Sequence, residues 1–153
     1  MQPPYPLAPS PLVPLPFPAQ VLQQVSGFGG APFTQPLAAT IPAATTTFAG
    51  LATGISSPES TRQNTLNFPL SISQLRIATS TAQPAGQNLT VNVRRNGVSV
   101  GIQVVISASA PAGVYQSSVA IPVQYAPGDS FSIQLIQDAG ASASASIISW
   151  TVS

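Results

Sequence analysis

Twelve of the 17 prolines fall in residues 1–58, and that stretch carries no charged side chain. No other feature restricts the chain as strongly, because proline locks φ, removes a backbone donor and pushes its predecessor toward extended geometry. Segment 1–18 has proline at positions 3, 4, 6, 9, 11, 14, 16 and 18, so polyproline II is the expected conformer. At about 3.1 Å per residue the segment would reach roughly 55 Å, longer than a small domain is wide.

An ordinary solvated linker is rich in charge, Ser, Gly or Glu. Here the prolines are interleaved with Tyr5, Leu7, Leu12, Val13, Leu15 and Phe17, side chains that favour a surface over water. Phe28, Phe33, Leu37, Ile41, Phe48, Leu51 and Ile55 follow among Gly, Thr and Ala, with no sustained period of 3.6 or 2.0. Residues 1–60 therefore read as an extended apolar arm that is ordered by packing on another molecule. Its expected contacts are Tyr5, Leu7, Leu12, Val13, Leu15, Phe17, Phe28 and Phe33. A short helical turn is expected over 20–26, ended by Gly27, Gly29 and Gly30. The GFGG run lacks the lysine and Ser/Thr of a phosphate loop.

The whole chain has four basic residues (Arg62, Arg76, Arg94, Arg95), three acidic ones (Glu59, Asp129, Asp138), and no Lys, His or Cys. Ser–His–Asp and Cys–His catalysis, Schiff-base chemistry and the commonest transition-metal sites are excluded with them. Asp129 and Asp138 stand at opposite ends of one expected strand, roughly 30 Å apart at about 3.3 Å per residue, too far for a glycosidase pair. No catalytic residue, metal site or cofactor is expected. Scattered arginines make no basic stripe for nucleic acid, and five prolines interrupt the greasiest stretch, Leu7 to Leu22, so neither nucleic acid nor membrane is an expected partner. No basic residue precedes Arg62, so a secretory signal is not expected either.

Residues 61–153 follow different rules. Leu66, Phe68, Leu70 and Ile72 alternate, then parity shifts to Leu75 and Ile77, which places a bulge or corner at Ser73–Gln74. Leu89, Val91 and Val93 precede Asn96-Gly97, and Val98, Val100, Ile102, Val104 and Ile106 follow it, a type I′ hairpin signal. A two-residue turn there pairs Val93 with Val100, Val91 with Ile102 and Leu89 with Val104. Further strands are expected over 114–123, 130–137 and 144–152, the last containing a core Trp150 and preceded by the small residues 141–146. About seven short strands and no helix pattern predict an all-β fold, an antiparallel β-sandwich or jelly roll carrying an N-terminal arm.

Arg94 and Arg95 are strand neighbours and point to opposite faces. They read as a solvated sheet end or as salt bridges to a partner, while Arg62 and Glu59 flank the arm junction. Asp129 and Asp138 read as turn residues bonding local backbone, and Tyr115 and Tyr125 as loop or interface residues.

The span from Leu75-Arg76-Ile77 through Thr90-Val-Asn-Val-Arg-Arg-Asn-Gly97, with PGDSFSIQL at 127–135 and IISWTV at 147–152, resembles β-sandwich modules of tailed-phage virion proteins. The resemblance covers most of the strand-forming part of the chain and none of the arm. A sandwich with an uncharged apolar arm is similar to the head decoration proteins of some tailed phages. That resemblance implies a homotrimer on the outer face of the capsid, with the arm on the major capsid protein or neighbouring subunits and Arg62, Arg94 and Arg95 available for salt bridges. The alternative it leaves open is a tail-fibre or spike module recognising a host glycan.

Overall fold

The computed structural model describes residues 33–51, 54–140 and 145–153. Its strands are β1 (Phe33–Ile41), β2 (Thr45–Ala49), β3 (Ile55–Ser56), β4 (Asn64–Thr65), β5 (Leu70–Thr79), β6 (Leu89–Arg95), β7 (Val98–Ile106), β8 (Gly113–Tyr125), β9 (Ser130–Gln137) and β10 (Ala145–Val152). A 3-10 turn at Glu59–Thr61 interrupts them. Every pairing is antiparallel: one sheet has the order β1-β10-β5-β8, the other β3-β2-β9-β6-β7 with β4 added against β9. The two sheets pack as an all-β sandwich.

Alternation builds the core. Leu89, Val91 and Val93 of β6, Phe131, Ile133 and Leu135 of β9, and Ile102, Val104 and Ile106 of β7 are all buried, facing Leu37, Ile41, Ile72, Leu75 and Ile77 of the other sheet. Burying each such side chain contributes about 1.5–3 kcal/mol. The parity shift at Ser73 is a bulge: the β5–β8 register breaks between Ile72 and Gln74, and the backbone N–H groups of Ser73 and Gln74 both donate to the Ser153 carbonyl, at 2.6 and 2.9 Å. On β8 the same break leaves residues 119–122 opposite no β5 partner, and Ile121 projects there with 83% of its surface exposed.

The Asn96-Gly97 turn has positive φ at both residues, 51° and 78°, as type I′ geometry demands. Arg95 pairs with Val98 and Arg94 with Ser99, but the expected register fails beyond them. Val91 faces Val104 and Leu89 faces Ile106, while Val93 has lost Val100 as a partner. The cause is a bulge at Gly101, whose φ of 83° suits glycine, and which admits two extra residues of β7. An insertion of two preserves the inward face, so the hydrophobic pattern cannot detect it.

The arm boundary at residue 60 is corrected by β1, β2 and β3. Residues 33–56 contribute strands to both sheets, and Leu37, Ile41 and Ala49 are core residues. β1 hides its period behind a register shift between Pro36 and Ala39. The expected helical turn at 20–26 lies outside the described residues, as does the side chain of Trp150. Neither tyrosine expected at a loop is there. Tyr115 lies within β8, packs partly on the core and donates its hydroxyl to the Pro111 carbonyl. Tyr125 is 2% exposed, lies edge-on to Phe131 at 6.0 Å, and its hydroxyl donates to the Arg94 carbonyl at 3.2 Å. Burial pushes its phenol well above the ordinary range. Tyr125→Phe keeps the ring and loses that bond, so chemical denaturation is expected to show a cost of about 1 kcal/mol.

Candidate interaction surfaces

Phe48, Gln134, Asn92 and Gln103 form a cross-strand row on the outer face of the larger sheet. Gln103 Nε2 donates to Asn92 Oδ1 at 2.8 Å, and Asn92 Nδ2 donates to Gln134 Oε1 at 3.2 Å. Arg94 joins this chain, its Nη1 donating to the same Gln134 oxygen at 3.1 Å and its Nη2 to the Gly97 carbonyl. Its Nε meets Glu59 Oε1 at 2.9 Å, and that oxygen also accepts from the Ser132 hydroxyl at 2.6 Å. The guanidinium lies 5.8 Å from the Phe48 ring centre, within cation–π range. The network therefore clamps the 3-10 turn that carries Glu59 onto β6 and β9.

Burial alone would raise the Glu59 carboxyl, but the bonds from Ser132 and Arg94, the charge of Arg94 and a bond from Gln63 outweigh it, leaving Glu59 below the usual carboxylate range. A carboxyl held low in the fold stabilises in its ionised form. That contribution is complete above the unfolded value near 4.5 and is lost as pH falls through the folded value. Thermal midpoints are thus expected to fall more steeply between about pH 5 and pH 3 for the native chain than for Glu59→Gln. Parallel pH profiles would remove Glu59 from the acid response. Asp129 retains a share in both proteins, because a bond from the Ala126 N–H and one from Asn96 lower it too.

The arginines expected at a partner are engaged within the chain. Arg94 is bridged to Glu59, correcting the expectation of a solvated sheet end or a partner's carboxylate. Arg62 Nε donates to the Ser56 hydroxyl at 3.2 Å and holds β3. Arg95 is exposed, donates through Nη1 to the Gln124 carbonyl at 2.5 Å and stands 6.0 Å from the Tyr125 ring centre. The sequence does not reveal Glu59 as the partner of Arg94; the two are 35 positions apart, and no spacing links them.

Asp129 does bond its own turn, accepting from the Ala126 N–H at 2.8 Å and from Asn96 Nδ2 at 2.6 Å. Asp138 does not: its Oδ2 accepts from the backbone and side-chain nitrogens of Asn88, at 3.1 and 2.9 Å, tying β9 to the start of β6. Each of the three carboxylates thus serves a structural bond. No cluster of three or more His, Cys, Asp or Glu occurs among the described residues, and no helix among them is long and apolar enough to cross a membrane.

A second surface is apolar. Val98, Val105, Val114 and Ile121, the large hydrophobics most open to solvent among the described residues, all belong to β7 and β8. These strands end the two sheets along the same side of the sandwich. Between them Val98, Val100 and Val123, bounded by Arg95, Asn96 and Ser99, line an open groove of about 520 Å³. Of the expected arm contacts, Phe33 instead pairs in β1 opposite Val152 and packs on its own core; Tyr5, Leu7, Leu12, Val13, Leu15, Phe17 and Phe28 lie outside the described residues. No family model, curated protein or solved structure matches this chain.

Proposed function

We propose that this chain is a structural protein of a tailed-phage particle that decorates and stabilises the capsid exterior, its proline-rich segment binding the major capsid protein or neighbouring subunits. The observation that supports this most is the division of labour along the chain. The described sandwich commits its carboxylates to internal bonds and keeps an uncovered apolar edge, while the segment preceding Phe33 has nine prolines, many large apolar side chains and no charge. Such a chain binds by buried area and offers no reactive group. Assembly as a homotrimer would let three weak segments engage together and multiply their hold.

Glycan recognition draws less support. The planar amides of Gln103, Asn92 and Gln134 bond one another, and Phe48 already carries the Arg94 guanidinium, so a sugar would have to break this network to stack there. A low-resolution map of the particle tests the reading. Density for this chain protruding from the shell is expected; density confined to the tail would overturn it.

A further inference from the structure

We propose that, before assembly, the part of residues 3–18 around Ser10 docks in this chain's own groove between β7 and β8, so that the binding segment is stored on the sandwich that carries it. This rests on the reading of that segment as the binding element. Chemistry favours the fit. The groove is walled by Val98, Val100 and Val123 beside the projecting Ile121, with Val98 66% exposed and Ile121 83% exposed. The segment supplies Leu7, Leu12, Val13, Leu15 and Phe17 and no charge to desolvate. Half of the segment is proline, so it offers carbonyl acceptors and few N–H donors. The rim offers the converse, the Ser99 hydroxyl and the Arg95 guanidinium, which commits Nη1 to Gln124. Proline-rich segments bind apolar grooves because their extended conformation is preformed; here the wall is aliphatic valine where the familiar grooves are aromatic.

Geometry puts the groove within reach. Phe33, Val152, Leu75 and Ser117 stand in one row across the smaller sheet. Beyond Phe33 the direction of β1 leads toward the rows holding Val123 and Tyr125, the end of the sandwich where the groove lies. β1 and β8 are the two edges of that sheet, three strand spacings or about 14 Å apart. Residues 19–32 can span roughly 46 Å at about 3.3 Å each, and a tethered segment that reaches its site outcompetes a free copy at ordinary concentrations.

The chain has no cysteine, so paired single substitutions report proximity without background. Ser10→Cys combined with Ser99→Cys, in the full chain under mild oxidation, is expected to close a disulfide at monomer mass at least tenfold faster than Ser10→Cys with Ser80→Cys. Ser80 is exposed and follows β5 at the far end of the sandwich. Adding Val98→Asp, at a site open enough to leave the fold intact by circular dichroism, should bring the first rate down to the second. Equal rates for the two pairs, or a product only at dimer mass, would overturn the proposal. No shell is present in the experiment, so its failure leaves the capsid reading standing, and failure of shell binding leaves the disulfide result standing.

Discussion

Deleting residues 1–18 is expected to leave the sandwich folded and to weaken its binding to undecorated capsid shells at least a hundredfold. Both halves of the result follow from where apolar surface is used. Among the described residues the buried core is built from strand side chains and the loop residue Leu66, so far-ultraviolet circular dichroism should keep its β signature, and the thermal midpoint should fall only by what the docked segment contributes. The segment removed carries the largest uninterrupted set of uncharged, proline-stiffened apolar side chains. If it covers about 1,000 Å² of a shell, area bookkeeping gives on the order of 25 kcal/mol gross, most of which ordering and association costs remove. Proline reduces that cost because the free segment has fewer conformations to lose. A net residue of about 3 kcal/mol per arm already corresponds to a hundredfold in affinity, and engaging three arms compounds it. Co-sedimentation with shells measures the loss. Unchanged binding by the truncated protein would reject the arm as the cementing element.

How much of this is legible in the sequence depends on whether a residue's chain neighbours carry the signal. The period-two runs of β5, β6, β7 and β9 announce themselves, and Asn96-Gly97 gives their hairpin because two successive positive φ values need those residue types. The bulge at Ser73 is legible because it flips parity; the one at Gly101 is not, because two inserted residues restore it. β1 and β2 escape for a different reason. Leu37 lies within a register shift and Ile41 beyond it, and the inward positions of β2 are Thr45, Thr47 and Ala49, small or polar residues without a hydrophobic rhythm. Their burial is imposed by neighbours in the sheet, a long-range condition that a local window cannot carry. The Glu59–Arg94 clamp is harder still, since it joins a 3-10 turn to a strand by tertiary contact alone.

That clamp carries the largest expected effect on stability. Arg94→Ala should cost about 2–3 kcal/mol, read as a lower urea midpoint with an unchanged slope. The loss is not one ion pair but three acceptors and a ring: Glu59, Gln134 and the Gly97 carbonyl lose a donor, and Phe48 loses its cover. At 16% and 15% side-chain exposure the pair is mostly withdrawn from water, so the cost exceeds that of a surface bridge; the remaining solvent access keeps it below the roughly 3–5 kcal/mol of a fully buried pair. Arg94→Met should be milder by about 1 kcal/mol, because an unbranched apolar stem still covers Phe48. Arg94→Lys should rescue little, since a single ammonium cannot reproduce a planar fork that reaches Glu59, Gln134 and Gly97 at once. Glu59→Gln should cost less than Arg94→Ala, because an amide can still accept from Ser132 and Arg94. In the double variant the two losses should fall short of their sum by about 1 kcal/mol, the signature of a shared network. Additive losses, or an Arg94→Ala cost under about 0.5 kcal/mol, would mean that the turn is held to the sheet by packing of its own and that the polar row is only surface decoration.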